Sequence, residues 1–286
     1  MSTDSDRIEH VSDTALMVAA CRALETVRPD GFVRDPLAER LAGPRGMAIA
    51  RAMSTMGVEM MCFGVGMRCR FLEDLILRCL TESPIATVLS LGCGLDSRPW
   101  RLDLPPDLRW IEVDFEDMLD YKAARLGDEP PKCRLERMAA DLTVESQRRA
   151  VFAAAGDAPA LMITEGLLMY LPAATVDSLA EEPARLSGIR YWMSDVTTSA
   201  MRRLTRMDQF QGVDSVRDPS HLNGEEMLEV FARHGWTTLR RHSYITEPYD
   251  FAASRIRKMM GLPEGAVLPP PPLPGDPSGA YLFVRP

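Results

Sequence analysis

Residues 87–98 combine a strand-like run with a glycine turn, and an acidic residue follows at a spacing that has a specific chemistry. They read TVLSLGCGLDSR, so an apolar β-type run stops at Gly92, Cys93 and Gly94. Asp114 follows the first glycine at about twenty residues, where nucleotide-binding folds place a carboxylate for the ribose hydroxyls. In those folds the turn lies under the ligand. The spacing predicts a site for a nucleoside-containing ligand, although Asp114 read alone could simply end a strand.

The turn lacks the third glycine of a dinucleotide fingerprint. Leu, Asp, Ser and Arg occupy positions 95–98. A diphosphate must closely approach the N-terminus of the following helix, and glycines permit that approach. Asp96 instead places a negative side chain where the diphosphate would lie. The turn therefore favours a cationic sulfonium cofactor without phosphate, and a methyltransferase over a nicotinamide-dependent oxidoreductase.

Two further acidic residues stand at the ends of apolar runs. Asp141 and Leu142 close the third strand-like run, where a carboxylate and an adjacent backbone N–H can bracket an adenine ring. Asp141 is equally suited to cap the next helix. Glu165 lies between the apolar runs ALMIT and LLMYLP, a position in which an acid needs a partner. A ligand ammonium and a structural arginine are both suitable partners.

The pattern along the chain predicts the elements that position these residues. Strand-like runs alternate with helices or loops from residue 87 onward, which is typical of parallel βαβ units with right-handed crossovers. Three helices precede them, and we expect this segment to pack over the carboxyl ends of the strands, where open α/β sheets bind ligands. The predicted strands are residues 87–91, 108–114, 134–140, 160–164, 189–196, 237–244 and 280–284.

Several local signals predict where helices begin and end. Glycine, proline and small polar residues act as stops, breaks and caps for physical reasons. The predicted boundaries are a helix from Ser12 to before Pro29, one from Asp35-Pro36 to Gly43, one from Met67 to Leu80, a break at Pro183, and a capping box of Asn223 and Glu226 that starts a helix ended by Gly235.

Composition limits the possible partners. The chain has 286 residues and a net charge of −8, which argues against a nucleic-acid partner. The first ten residues are polar and acidic, unlike a signal peptide, and no run approaches the roughly 20 apolar residues that span a bilayer. The six cysteines form no C-x-x-C pair and have no histidine at metal spacing. We expect reduced thiols, no metal, no membrane contact and a cytoplasmic location.

Four runs in the middle of the chain carry a family resemblance. LSLGCGLDSRPWRL, WIEVDFEDMLDYK, AADL and ITEGLLMYLP, in this order, resemble the leucine carboxyl methyltransferase-like family. They look closest to its bacterial branch, which includes polyketide-tailoring O-methyltransferases. The N-terminal runs ALMVAACRALE, DPLAERLAG and MRCRFLED are similar to the helical lead-in of that family. The resemblance covers residues 12–245 and is most specific between 87 and 172.

The resemblance implies a Rossmann-like class I methyltransferase with a mostly parallel seven-stranded sheet. It divides the chain into an N-terminal helical cap, residues 1–83, and a catalytic domain, residues 84–286. The implied cofactor is S-adenosyl-L-methionine (SAM), and the product is S-adenosyl-L-homocysteine (SAH). By the same resemblance, Gly92, Cys93 and Gly94 lie under the cofactor, Asp114 binds its ribose, Asp141 and Leu142 hold the adenine, Glu165 lies by the methionine end, and Arg68, with Arg70 as the alternative, pairs with the methionine carboxylate.

The expected reaction is methyl transfer to oxygen. A carboxylate acceptor is ionised at pH 7 and needs only orientation, whereas a phenol gains from a general base. His221 lies near the expected substrate pocket, yet the sequence identifies no catalytic residue. We expect an O-methyltransferase that acts by proximity on a carboxylate or acidic hydroxyl of a small, polyketide-like molecule. An NAD(P)-dependent oxidoreductase and a catalytically silent SAM-binding module are the alternatives, and the sequence indicates no oligomeric state.

Overall fold

Seven strands form one mixed sheet within the part of the chain that the structure describes. That structure is a computed structural model, and it describes residues 11–186, 188–204 and 217–285. The predicted strands are all present, with ends shifted by a residue or so. Their bounds are Thr87–Leu91 (β1), Arg109–Asp114 (β2), Arg134–Ala139 (β3), Ala160–Thr164 (β4), Ile189–Val196 (β5), Thr237–Ser243 (β6) and Gly279–Val284 (β7).

The strand order places three predicted site segments side by side. The order across the sheet is β3-β2-β1-β4-β5-β7-β6. Strands β1 to β5 pair in parallel, and β7 runs antiparallel to both β5 and β6. The expected mostly parallel seven-stranded sheet is therefore confirmed. The strand order reverses between β1 and β4, and the carboxyl ends of strands at such a switch point form the ligand crevice of open α/β sheets.

Alternate residues of the central strands belong to two separate cores, one on each face of the sheet. Leu89 and Ile111 pack in one core, whereas Val88 and Trp110 pack in the other. Strands buried on both faces are continuously apolar, as in the run TVLSL of β1. The described helices are Val11–Thr26 (α1), Ala38–Ala52 (α2), Thr55–Glu82 (α3), Arg98–Arg101 (α4), Glu116–Leu126 (α5), Glu145–Ala154 (α6), Ala173–Glu181 (α7), Pro183–Leu186 (α8), Ser199–Leu204 (α9), Gly224–Arg233 (α10), Pro248–Phe251 (α11) and Ala253–Met259 (α12).

Two predicted helix boundaries in the N-terminal segment are wrong. Helix α3 begins at Thr55 rather than Met67, because the Ser54 side chain caps it by accepting a hydrogen bond from the Gly57 amide. Gly43 does not end α2. It takes φ 59° and ψ −175°, which kinks the helix at that point, and Pro44 then restarts the chain in helical geometry.

The signals near Pro183 and Asn223 are confirmed. Helix α7 ends at Glu181, and α8 starts at Pro183 as a separate turn. Asn223 accepts a hydrogen bond from the Glu226 amide, and the Glu226 side chain accepts one from the Asn223 amide, which completes the capping box of α10. Gly235 follows that helix with φ 80°.

The N-terminal helices approach the sheet in two ways. Helix α1 lies over the carboxyl edge, where the Arg22 Nη2 donates a 2.6 Å hydrogen bond to the carbonyl of Leu95, just after the glycine turn. The carboxyl half of α3 instead packs on one face of the sheet, where Leu72 and Ile76 join the core of Val88. The expected packing over the strand ends is therefore correct for α1 and incomplete for α3. Among the described helices, none has both the length and the apolarity needed to cross a membrane.

Candidate functional site

A cavity of about 790 Å³ opens at the carboxyl ends of β1, β2 and β4. That volume falls in the range of about 300–1,000 Å³ that small-molecule sites occupy. Helices α1 and α3 form the opposite side of the cavity. The structure brings together at this cavity all the site residues predicted from the sequence, namely Arg68, Gly92, Cys93, Gly94, Asp114, Asp141, Leu142 and Glu165.

The glycine turn gives the cavity a floor that other residues cannot form without strain. Gly92 has φ 59°, and a Cβ built there would lie 2.7 Å from Cδ1 of Leu167. Gly94 has φ 46°, and its Cβ position would contact Ala15 of α1 at 3.5 Å. Backbone with positive φ favours glycine. The turn therefore brings main chain, rather than side chains, close to whatever the cavity holds.

Asp114 is held in place by backbone amides at the end of β2. Its Oδ2 accepts a 2.7 Å hydrogen bond from the Gly94 amide, and its Oδ1 accepts one of 2.8 Å from the Phe115 amide. Burial raises the pKa of the Asp114 carboxyl, against these two hydrogen bonds, which lower it. Asp114 is thus oriented toward the glycine turn, as its predicted role with ribose hydroxyls requires.

Asp141 forms a local turn and is not the N-cap of α6. Its Oδ1 accepts hydrogen bonds from the amide and hydroxyl of Thr143, at 2.9 and 2.7 Å. Val144 occupies the N-cap position instead. The capping alternative is therefore wrong, and the turn leaves Asp141 and the buried Leu142 in the cavity wall.

Glu165 has two arginine partners. Its Oε1 accepts a 2.9 Å hydrogen bond from Nε of Arg68, and its Oε2 accepts one of 2.7 Å from Nη1 of Arg98. Burial raises the pKa of Glu165, but Arg98 and Arg68 outweigh burial and bring it below its ordinary value. The structural-arginine alternative therefore holds in the protein without ligand. Of the two candidate arginines, Arg68 lines the cavity, whereas Arg70 stacks over the ring of Phe251.

Asp96 does not present an unbalanced negative charge. Its two oxygens accept hydrogen bonds from the amide and from Nη1 of Arg98, at 3.1 and 3.2 Å. Burial raises the pKa of Asp96, but Arg98 and Lys122 outweigh burial and lower it to about 2. The reasoning that Asp96 repels a diphosphate by its charge is corrected, because Arg98 compensates that charge.

Two site residues escaped the sequence reasoning. Asp195 ends β5, and its Oδ1 accepts a 2.6 Å hydrogen bond from the Gly166 amide, while its Oδ2 lies 3.6 Å from Nη1 of Arg68. Burial raises its pKa, against the effect of Arg68. An acid near the carboxyl end of a parallel strand was the available signal, as it was for Asp114. Tyr170 lines the cavity and hydrogen-bonds to Thr14 of α1, a contact with no local sequence signal.

The side of the cavity under the N-terminal helices is apolar. Met17 and Val18 come from α1, Met61 and Val65 come from α3, and Met169 follows β4. Met61 is also packed in the core that Met17 shares with α3. The methionines of the N-terminal segment therefore serve mainly as core, and Met61 also faces the cavity.

The described histidines have partners outside this cavity. His221 lines a smaller adjoining cavity, where its Nε2 lies 3.0 Å from Nη1 of Arg202 and its Nδ1 lies 2.6 Å from the Asp218 carbonyl. His234 pairs with Asp177. His242 lies between two carboxylates, and His10 falls outside the described residues.

Comparison with known proteins agrees with this site. The family model for leucine carboxyl methyltransferase matches residues 15–183. A protein of Frankia alni named as an S-adenosyl-L-methionine-dependent methyltransferase is 38% identical over 61% of this chain and 64% of its own length. A similarly named protein of Rhodococcus jostii is 30% identical over 93% of this chain and 96% of its own length. The crystal structure of a DUF574 family protein from Streptomyces avermitilis superposes with a TM-score of 0.58 at 13% identity, covering 94% of this chain and 97% of the other.

The fold and the cavity together define the class. A seven-stranded, mostly parallel sheet with its ligand cavity at the β1–β4 switch point is that of a Rossmann-like, class I SAM-dependent methyltransferase. The chain belongs to the leucine carboxyl methyltransferase family. SAM is therefore its cofactor, and the oxidoreductase alternative is set aside.

Proposed function

We propose that this protein is an O-methyltransferase that transfers the SAM methyl group to a carboxylate or acidic hydroxyl of a small apolar molecule. The observation that supports the proposal is the division of the cavity into two chemically different walls. One wall, at the strand ends, carries the charged residues and the glycine turn, and the other, under α1 and α3, is apolar. A cofactor with a nucleoside and an amino acid suits the first wall, and an apolar acceptor suits the second.

The charged wall fits SAM. Under this proposal Gly92, Cys93 and Gly94 lie beneath the cofactor and Asp114 accepts from its ribose, while Asp141 and Leu142 hold the adenine. Arg68 and Glu165 form an ion pair, with Nε and Oε1 2.9 Å apart, in the same cavity wall. Opposite charges at this distance match the carboxylate and ammonium of an amino acid. Arg98 and Asp195 flank the pair and keep both side chains oriented.

The chemistry needs orientation more than proton transfer. Bound SAM supplies a methyl group on a sulfonium, a good leaving group. A carboxylate acceptor is ionised at pH 7, because its ordinary pKa is about 4. The chain's task is then to hold the acceptor in line and to exclude water, and such positioning can supply about 7–11 kcal/mol of the barrier. Tyr170 and Thr14, joined across the cavity, help to close it.

We further propose that residues 1–83 act as a cap on the catalytic unit 84–286 and select the acceptor. Helices α1 and α3 supply most of the apolar wall. The acceptor suited to this wall is a small hydrophobic acid, such as a polyketide-like secondary metabolite, rather than a nucleic acid. A cytoplasmic location suits the six cysteines, which are all free and buried.

Radiolabelled transfer tests this function and separates the two oxygen acceptors. The protein is incubated with SAM labelled in its methyl group and a panel of medium-chain fatty acids, aromatic carboxylic acids and phenols. A methyl ester releases volatile labelled methanol in mild base, whereas a methyl ether retains its label. We expect base-labile label on an apolar carboxylic acid, and none with an Asp114→Asn protein at limiting SAM.

Other outcomes of this assay contradict the proposal. Base-stable label on a phenol would move the acceptor to the hydroxyl class, which the proposal includes. Label on nitrogen or carbon would overturn O-methylation. SAH binding without any transfer across the panel would favour the silent module.

A further inference from the structure

A buried ionic network joins the N-terminal helices to the glycine turn. Arg22 on α1 donates from Nη2 to the Leu95 carbonyl at 2.6 Å and from Nε to Oδ2 of Asp35 at 2.8 Å. Ser97 donates from Oγ to the same Asp35 oxygen at 2.6 Å. Asp35 is 1% exposed, Ser97 0% and Arg22 5%. The Asp35 carboxylate therefore touches both α1 and the end of the turn.

Both oxygens of the Asp35 carboxylate are in use. Oδ1 accepts a 3.1 Å hydrogen bond from the Leu37 amide, and the Asp35 amide donates to Thr26 Oγ1 at 2.8 Å. Arg101 supports the other side, since its Nε donates to Ser97 Oγ at 3.0 Å. A buried carboxylate with this many donors has one orientation. The orientation of Asp35 in turn determines where the Arg22 guanidinium lies.

The network continues to a residue that faces the cofactor. Arg22 holds the carbonyl of Leu95, and the residue before it, Gly94, donates its amide to Oδ2 of Asp114 at 2.7 Å. Movement of the Leu95 carbonyl therefore displaces the Gly94 amide, which orients the carboxylate. Arg22, Gly94, Leu95 and Asp114 all line the same cavity.

We propose that Asp35 is a positioning residue for cofactor binding, which acts through Arg22 to preform the turn at residues 92–97. It lies in the N-terminal segment, outside the strand-turn-acid motif that contacts the cofactor in our assignment. The cap and the cofactor are consequently coupled, because a change in the packing of α1 is transmitted to the turn. The inference rests on SAM as the cofactor and does not depend on the identity of the acceptor.

A matched pair of variants tests the proposal. Asp35→Asn removes the charge that orients Arg22. Glu25→Gln alters an ion pair on the same helix, in which Glu25 and Arg255 are both buried and Glu25 also accepts from the Phe32 amide. Both variants are expected to lower the melting temperature. SAH affinity, measured by isothermal titration calorimetry, is expected to weaken about tenfold in Asp35→Asn only, as loss of one charge-assisted hydrogen bond predicts.

A second readout requires no ligand. Amide hydrogen exchange of residues 92–97 in the cofactor-free protein is expected to be faster in Asp35→Asn than in Glu25→Gln. If Asp35→Asn does not fold, Ser97→Ala takes its place, since it removes a single donor to the same carboxylate.

Three results would overturn the inference. One is unchanged SAH affinity in Asp35→Asn or in its substitute. Another is an equal loss of affinity in Glu25→Gln, which would indicate general destabilisation, and the third is unaltered exchange of the turn. Failure of the unaltered protein to bind SAH would instead refute the cofactor assignment, and the role of Asp35 with it.

Discussion

The acidic residues at the strand ends fall into two groups that differ in the balance between burial and neighbouring charge. Asp96 and Glu165 face Arg98, which holds the pKa of each below its ordinary value against the effect of burial. Asp114 and Asp195 lie where burial dominates, and the pKa of each is raised. Acidification therefore protonates the second group first. Asp114 is the member of that group assigned to the cofactor.

The raised pKa of Asp114 predicts a pH-dependent affinity for SAH. Ribose hydroxyls donate to the ionised carboxylate, so binding lowers the pKa from its raised value in the free protein. Affinity is then full above the raised pKa and falls as the pH drops through it, by up to about tenfold per pH unit. The loss should begin above about pH 4, the ordinary carboxyl range. Calorimetric titrations across pH measure it.

An Asp114→Asn protein is the control for this prediction. It should bind SAH more weakly at neutral pH and show a flat profile over the same window. A variant that kept the full pH dependence would assign the titration to Asp195 or another group, and would remove Asp114 from the ribose site.

At the scale of elements, short signals predicted the structure wherever a single residue type controls the backbone. The capping box at Asn223 and the break at Pro183 depend on adjacent atoms, so the sequence alone predicts them. The start of α3 was predicted too late, because its first turns lack a regular apolar face and depend on the Ser54 cap. The kink at Gly43 likewise could not be distinguished from a helix end.

The glycine turn makes a prediction at this scale. Gly92→Ala places a residue at φ 59° and a Cβ 2.7 Å from Leu167, which itself lines the cavity. Gly127→Ala imposes the same kind of strain at φ 56°, with no atom within 4 Å of the added Cβ. Both should lose about 1–2 kcal/mol of unfolding free energy in urea titrations. Only Gly92→Ala should weaken SAH binding, by about tenfold.

Equal SAH affinities in the two alanine variants would contradict this assignment of the turn. So would a Gly127→Ala protein that bound SAH as poorly as Gly92→Ala, since Gly127 ends α5 and does not line the cavity.

At the scale of the whole molecule, the site is completed by contacts between distant parts of the chain. The motif around residues 92–114 could be found from the sequence because strand, turn and acid are close along the chain. The contacts of Arg22 with Leu95 and of Arg68 with Glu165 and Asp195 join segments that fold together only in three dimensions. The order of the strands and the position of α1 create these contacts, so no local pattern predicts them. The cofactor wall was therefore accessible to sequence reasoning, and its support from the cap was not.

Calorimetric titration of the unaltered protein with SAH and, separately, with NAD tests the central claim most directly. The cavity at the ends of β1, β2 and β4 predicts one SAH per chain, with a Kd of the order of 1 µM, equivalent to about 8 kcal/mol, and no heat from NAD. Binding of NAD, or the absence of SAH binding, would contradict the assignment of this cavity to SAM.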